Sequence, residues 1–167
     1  MRVFKPTDTD VEEVVGAAFA TNGGMCTGAA GDDCPPGQWS DARFAFLFEP
    51  GMYASDVPVG FYTTVAGLGK YPDDVVFTGD KGVYTEEGDS NYTVGSLDQF
   101  WRSAENFRTQ ATHMWQGAKQ GMLWSVSQAS PLRSIHVDYD LQLYEYEPPY
   151  KGAGYSSGGF LANSKVG

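Results

Sequence analysis

Short apolar runs separated by turn residues dominate the chain between Arg43 and Gly79. The runs are rich in Val, Phe, Tyr and Thr, and Pro-Gly, Asp-Val-Pro, Gly-Leu-Gly and Tyr-Pro-Asp-Asp divide them, which is typical of β-strands. No segment between them could form an amphipathic helix, so the crossovers of βαβ units are excluded. Runs such as FAFLF and DVVF look buried on most of their faces, as parallel strands usually are. The pattern predicts a mainly β fold, a parallel β-helix whose turns stack on one another.

The apolar runs recur at similar intervals along the chain. Their centres are Leu47, Val76, Phe107, Val137 and Leu161, with separations of 29, 31, 30 and 24 residues. Three short strands and their turns fit in about 25 to 30 residues. We therefore expect rungs from 42 to 167 in one domain, with FAFLF, DVVFT, ENFRT, SIHVD and GFLAN stacked as one sheet. Two polar insertions, 82–97 and 144–154, are predicted to project as loops, where such folds build their sites.

The N-terminal region predicts a helix that covers the first end of the coil. Thr7 or Asp8 would cap a helix from about 8 to 20, with an apolar face that includes Val11, Val15 and Ala18. A Gly-rich loop over 21–40 would follow it. The last strand has no comparable cover, and a solenoid needs caps. We therefore expect a partial domain, a fragment of a larger protein whose C-terminal portion is missing.

Two cysteines and one sequon indicate an extracellular protein. Cys26 and Cys34 lie eight positions apart in the Gly-rich loop, which favours a local disulfide over a metal or redox motif. Such a bond would contribute about 2.5 kcal/mol; two free thiols in an intracellular protein are the alternative. Asn91 begins the glycosylation sequence Asn-Tyr-Thr. Residues 1–6 lack the apolar stretch of a signal peptide, so a mature form or a fragment is expected.

The charge of the chain limits its partners. The net charge is −10 and the isoelectric point is about 4.4. An acidic surface disfavours nucleic acid and anionic membranes, which attract Lys and Arg. Acidity also serves solubility alone. If the partner is a polysaccharide, a neutral glucan is favoured over a polyanion.

Six runs of the chain resemble the opening segment of a group of large secreted microbial proteins. They are FLFEPGMY, DVPVGFYTTVAGLG, YPDDVVFTG, QFWRSAENF, WSVSQASPLRSIHV and SSGGFLANSKV. Those proteins resemble the pectate-lyase-like superfamily, especially glycoside hydrolase family 55, the β-1,3-glucanases; relatives are often named coagulation factor 5/8 type domain protein or adenylyl cyclase. The similarity spans about Arg2 to Gly167.

This resemblance implies a right-handed, pectin-lyase-like β-helix, a secreted location and a carbohydrate substrate. In family 55 two β-helical domains lie in tandem, and this chain would be part of the first. The family's catalytic carboxylate is expected in the later half. No residue here matches it, so the catalytic residues stay unknown.

Carboxylates are the first candidate chemistry, because glycoside hydrolysis needs two of them about 5 to 9.5 Å apart. Asp138 and Asp140 would share one side of a strand, as half an active site, a Ca²⁺ site or two solvated acids. Glu105 lies beside Trp101 and would either contact a sugar or pair with Arg102. Asn106 is expected to bond the backbone inside the coil.

Aromatic side chains are the second candidate chemistry, because their faces pack on sugar rings. Trp101 and Trp124 lie in strand-like runs, where they would be core or sugar contacts. The inserted loop carries Tyr144, Tyr146 and Tyr150 beside a stiffening Pro pair. These three tyrosines, with Trp101 and Glu105, are the predicted carbohydrate-binding residues.

No cofactor or metal site is predicted. Gly67-Leu68-Gly69 lacks the helix and the acidic residue of a dinucleotide site. His113 and His136 have no partner at ligand spacing. Two hypotheses remain: part of a glycoside hydrolase that is catalytically incomplete by itself, or a non-catalytic glycan-binding or adhesive β-helix module. Fold alone does not choose between them.

Overall fold

The computed structural model describes residues 1–23, 37–85, 96, 99–115, 119–147 and 152–167. Within them lie one α-helix, α1 (Val11–Asn22), two 3₁₀ turns (Gly37–Trp39 and Pro72–Asp74) and 16 short strands. The strands are β1 (Arg2–Phe4), β2 (Phe44–Phe48), β3 (Gly51–Tyr53), β4 (Val57–Pro58), β5 (Thr63–Gly67), β6 (Val75–Phe77), β7 (Val83–Tyr84), β8 (Ser103–Thr109), β9 (Met114–Trp115), β10 (Lys119–Leu123), β11 (Pro131–Val137), β12 (Asp140–Gln142), β13 (Tyr146–Glu147), β14 (Gly152–Ala153), β15 (Phe160–Ala162) and β16 (Lys165–Val166).

The main sheet is parallel, and in the described part of the chain the one α-helix, α1, lies between its first two strands, β1 and β2. It has nine strands in the order β1-β2-β5-β8-β11-β15, with β3 and β6 alongside and β16 paired to β11. All five segments predicted to stack lie in it, so the prediction of a mainly β fold with parallel strands is confirmed. The predicted spacing is not uniform: Phe46 pairs with Val65 and Val65 with Ala104, offsets of 19 and 39 residues. Leu132 follows 28 residues after Ala104, and Leu161 a further 29.

We call one turn of the coil a pass of the chain. Besides its strand in the main sheet, a pass has two further sides. On one side β4 pairs with β7 and β10 with β12, all parallel, and a bridge from Thr85 to Trp124 joins the two pairs. On the other side single backbone hydrogen bonds link successive passes. The Tyr62 N–H donates to the Trp101 carbonyl at 2.6 Å, and the Trp101 N–H donates to the Gln128 carbonyl at 3.3 Å. The central passes, which contain β5, β8 and β11, are therefore linked to their neighbours along three sides.

Left-handed backbone recurs at two positions in each of the three passes that contain β8, β11 and β15. The main-sheet strands bend at Asn106, Ser134 and Asn163, with φ of 59°, 50° and 51°. Because Asn tolerates this conformation, Asn106 can hold the bend, and its Nδ2 donates to the carbonyls of Gly67 and Gly69 at 2.8 Å each. The predicted backbone bond of Asn106 is confirmed.

The second left-handed position is the corner that precedes the main-sheet strand. We call the residues there the corner column: Tyr62, Trp101, Ala129 and Gly158, with φ of 55°, 50°, 51° and 80°. A positive φ is uncommon for residues other than glycine, so its repetition in three non-glycine residues shows that the stacking fixes this corner. Corner side chains point away from the core and lie above one another.

The core fills the space between the three sides. Phe46, Val65, Ala104 and Leu132 occupy one register row and are at most 3% exposed. Phe48 packs edge-on against Phe77, and Phe77 against Phe107, with ring centres 4.9 and 5.4 Å apart. Burying each such side chain stabilises the fold by about 2–3 kcal/mol. Burial also raises the pKa of Tyr53 to about 12.

Helix α1 lies at the β1 end of the sheet, shifted from its predicted position. It runs from Val11 to Asn22 rather than from about 8 to 20, because the Lys5 N–H donates to the Asp8 carboxylate at 3.0 Å in a preceding turn. Val11 and Val15 pack into the core. Asn22 anchors the helix end, since its Nδ2 donates to the Phe61 carbonyl at 2.9 Å. The helix therefore packs against the core through its apolar face.

Several predicted features lie outside the described residues. They are the Cys26–Cys34 pair, the sequon at Asn91, most of the Gly-rich loop, and Tyr150. These predictions stay predictions. None of the helices in the described part of the chain has the length and apolarity that a membrane crossing requires.

Candidate functional site

A stack of three side chains stands on the corner column, and we call it the corner stack: Arg43, Tyr62 and Trp101. The rings of Tyr62 and Trp101 are nearly parallel, at 9°, with centres 5.3 Å apart. The Arg43 guanidinium lies 3.6 Å from the centre of the Tyr62 ring. Arg43 is itself held in place, because Nη1 donates to the carbonyls of Ser40 and Ala42 at 2.7 and 2.8 Å. The Arg43 side of the stack is therefore closed.

The Trp101 side of the stack is open. The next two residues of the corner column are Ala129, whose side chain is a single methyl group, and Gly158, which has no side chain. Trp101 is 43% exposed, and a shallow cavity of about 250 Å³ extends from it past Ala129 to Pro131. Of the two alternatives for Trp101, the core position is wrong, since the corner directs its ring outward.

Polar groups continue from the stack along the outer face of the main sheet. The Ser103 hydroxyl donates to the Thr64 hydroxyl at 3.0 Å. One step further, Glu105 is exposed and opposes Arg133 in the strand register. The face therefore offers hydroxyls first and then one pair of opposite charges.

Arg102 does not face Glu105. Arg102 is buried, its Nη1 donates to the Val59 carbonyl at 2.6 Å, and its guanidinium lies 4.8 Å from the Phe61 ring centre. The predicted alternative of a Glu105–Arg102 pair is wrong, because successive side chains of a strand alternate between the two faces of the sheet, and the last residue before β8 already points inward.

An ion-pair cluster lies at the other end of the main-sheet strands. Arg108 holds Asp138 through two bonds, from Nε at 2.7 Å and Nη2 at 2.8 Å, and the Gln110 amide donates to it at 3.0 Å. His136 lies beside Asp73, with Nδ1 and Oδ1 2.9 Å apart. The hydrogen bonds from Arg108 hold the pKa of Asp138 below its ordinary value. Asp138 is thus an anion held by one cation, Arg108, and one amide, Gln110.

Asp138 and Asp140 do not share one strand side as predicted. The strand β11 ends at Val137, the chain turns at 138–139, and Asp140 begins β12. A paired-carboxylate site is therefore not formed by these two residues. The described part of the chain also contains no group of three or more His, Cys, Asp or Glu residues arranged to hold a metal ion.

A second histidine–carboxylate pair lies at the corner before β9. His113 Nδ1 is 2.7 Å from Asp80 Oδ2, and the Thr112 hydroxyl donates to Asp80 at 3.2 Å. The bond to His113 is the main reason that the pKa of Asp80 is lowered. The His113 ring also meets the edge of Trp115, with centres 4.4 Å apart. Both histidines thus have carboxylate partners.

The other predicted aromatic residues divide between core and insertion. Trp124 is 2% exposed and its Nε1 donates to the Ser130 carbonyl at 3.2 Å, so it belongs to the core. Tyr144 is half-buried, next to the antiparallel pair β13–β14, which lies within the segment 144–154 predicted to be an inserted loop. The side chains of Tyr146 and Tyr150 lie outside the described residues.

A repeated dipeptide could have revealed the corner stack from sequence. Phe61-Tyr62 and Phe100-Trp101 lie 39 residues apart, which is the offset between the paired residues Val65 and Ala104. The first aromatic of each pair is the more buried one, and the second forms the stack. Tyr62, Arg43 and Ala129 were missed because their importance depends on the uneven rung length, which the spacing of apolar centres did not provide.

The chain is similar to an exo-β-1,3-glucanase from Streptomyces sp. (strain SirexAA-E / ActE). The two are 36% identical over 165 residues, which is 98% of this chain and 23% of that protein. The structure of sacteLam55A from the same organism matches with a TM-score of 0.74 and 34% identity, over 98% of this chain and 25% of that one.

A variant of sacteLam55A solved in complex with glucose matches with a TM-score of 0.73 and 33% identity, over 98% of this chain and 25% of that one. No family model matches the chain. The chain spans about a quarter of the length of the protein it resembles and is homologous to one segment of it.

Proposed function

We propose, from this homology to one segment of an exo-β-1,3-glucanase, that the chain is part of a secreted glycoside hydrolase of the family 55 type acting on β-1,3-glucan. The identity of 36% over 98% of the chain is the observation that carries the proposal. The parallel pairing on two sides and the backbone hydrogen bonds on the third further support a β-helix, whose right-handed sense is proposed from the homology alone. Polysaccharide is the partner that this relationship and the outward aromatic stack favour.

Two of the described carboxylates, Asp138 and Asp80, are unsuited to act as the acid of a hydrolysis. A glycosidase needs a carboxylic acid whose pKa is raised, close to a second carboxylate. Asp138 and Asp80 have lowered pKa values because Arg108 and His113 bond to them. Both are therefore poor proton donors at neutral pH. The catalytic acid is proposed to lie in a part of the glucanase other than this segment.

The proposal predicts that the 167-residue chain does not hydrolyse β-1,3-glucan at an enzymatic rate, whereas the glucanase that contains it does. The measurement is reducing-sugar release from laminarin, with a cellulose derivative as the specificity control. Robust turnover by the chain, abolished by Glu105→Ala or Asp138→Ala, would place the site here and contradict the assignment. A complete protein inactive on every β-1,3-glucan would overturn the function itself.

We also propose secretion with a Cys26–Cys34 disulfide. A loop of this size closes with a modest stabilisation of about 2.5 kcal/mol, and extracellular proteins retain such bonds. Mass spectrometry of the secreted protein, before and after reduction, should show two hydrogens gained by the peptide pair. Two thiols that react with an alkylating agent without reduction would reject the bond.

The alternative function is a non-catalytic glycan-binding or adhesive module. The open corner stack favours it, because an exposed aromatic face with neighbouring hydroxyls suits binding without chemistry. The two functions differ in the activity of the complete protein. Glucan binding without any hydrolysis by that protein would establish the binding module.

A further inference from the structure

We infer that the open face of Trp101 in the corner stack is a subsite for one pyranose ring of a neutral β-glucan. The choice of glucan as the occupant rests on the proposed function. The geometry of the corner column decides where the ring lies and which face of the stack it uses.

The missing layer of the stack defines the space for the sugar. Tyr62 and Trp101 are 5.3 Å apart, close to the separation of about 4.8 Å between neighbouring strands. Each ring is therefore one layer of the column. Ala129 and Gly158 occupy the next two layers and contribute almost no side-chain volume. A ring stacked on Trp101 fills the position that an aromatic side chain at Ala129 would take.

Among the described residues, one face of the stack is covered and the other is uncovered. Arg43 covers the far face of Tyr62 at 3.6 Å and is tied to two backbone carbonyls. Trp101 is held at its corner by the hydrogen bond from its backbone N–H to the Gln128 carbonyl and by the Tyr62 ring beneath it. A platform that is already ordered loses little entropy on binding.

The groups around the platform match the edges of a neutral sugar. A pyranose presents C–H groups on its faces and hydroxyls at its rim, so it needs an apolar platform with polar groups beside it. The hydroxyls of Thr64 and Ser103 lie on the same outer face. Beyond them, Glu105 and Arg133 oppose each other in the register, which provides acceptors and donors without net charge. A polyanion would gain little from such a balanced pair.

The test measures binding of laminarihexaose to the 167-residue chain by isothermal calorimetry. Trp101→Ala removes the platform, and Ala129→Tyr fills the missing layer with a residue that Tyr62 shows this corner accepts. Each should weaken binding by about tenfold. Trp39→Ala is the matched control, because Trp39 is 76% exposed and lies outside the stack. This control should bind as the unchanged chain does.

Thermal unfolding of each variant separates loss of binding from loss of fold. If Trp101→Ala does not fold, Ala129→Tyr decides, since it keeps the whole stack and only adds to it. Unchanged affinity in Ala129→Tyr, or no binding by the unchanged chain, would overturn the subsite. Either result leaves hydrolysis by the complete glucanase untouched, so failure of the subsite and failure of the proposed function are distinguishable.

Discussion

Asp138 is an anion, and the groups that contact its carboxylate stabilise the charged form. Two bonds from Arg108 and one from Gln110 reach its carboxylate, and its side chain is 17% exposed. Charge-assisted, two-point contacts with Arg are stronger than ordinary surface ion pairs. The chain carries 21 acidic and 11 basic residues, so few of its carboxylates can have such a partner.

Replacing Asp138 by Asn should destabilise the protein at pH 7 by about 1 kcal/mol. The pKa of Asp138 lies below its ordinary value of 3.8 in the folded state. Its ionised form therefore stabilises the fold above about pH 4, and this contribution is lost as the pH falls through the lowered pKa. Urea unfolding at pH 7 and pH 3 should show a difference between variant and parent that shrinks in acid.

Asp41→Asn is the control for this experiment, because Asp41 is an exposed carboxylate. Its substitution should change the free energy of unfolding by less than about 0.5 kcal/mol at either pH. A loss in Asp138→Asn that is the same at pH 7 and pH 3 would show that charge does not carry the effect.

At the scale of elements, the strands differ in how many neighbours hold them. β8 pairs with β5 and β6 on one side and with β11 on the other, whereas β15 and β16 pair with β11 alone among the described strands. Phe160 and Leu161 of β15 are 56% and 47% exposed. In stacked architectures stability is carried by such neighbour contacts.

Amide hydrogen exchange should therefore be slowest in β8 and β11 and much faster in β15 and β16. A strand with partners on both sides opens only when the stack opens, and a strand at an edge opens alone. Mass spectrometry of peptides covering 103–109, 131–137 and 160–166 provides the measurement. The 63–67 peptide serves as an internal comparison for a strand with two neighbours. Equal protection of 160–166 and 103–109 would contradict the prediction.

Strand identity was predictable, but the bends within strands were not. Apolar residues and the absence of a helical periodicity predict strands at FAFLF and ENFRT, and both segments are strands. The left-handed bend at Asn106 also has a sequence hint, because Asn tolerates positive φ. Ser134 occupies the equivalent bend with no such preference. There the neighbouring strands impose the conformation, and a single sequence does not display that influence.

At the scale of the whole molecule, the net charge of −10 shapes what can approach it. The charge sets long-range repulsion for anions and leaves neutral ligands unaffected. Composition was therefore informative about classes of partner. Composition did not predict the site, because the residues of the corner stack come from three passes, at positions 43, 62 and 101. Only the uneven rung lengths bring these three positions together.

Affinity for laminarihexaose should change by less than about twofold between 0.05 and 1 M NaCl. Over about this range the Debye length falls from more than about 10 Å to about 3 Å, which would alter any binding driven by charge. Calorimetry at the two salt concentrations measures the effect, and alginate, a polyanion, is the comparison and should not bind. A steep loss of laminarihexaose affinity with salt would show that charged groups dominate the contact.

The corner column separates what the backbone requires from what the side chain offers. Tyr62, Trp101, Ala129 and Gly158 share one backbone conformation although their side chains range from an indole to a hydrogen. Outward chemistry at this edge can thus change one layer at a time while the inner rows stay constant. Single substitutions at this edge can therefore lengthen, shorten or shift a row of stacked aromatic side chains while the core residues beneath it stay the same.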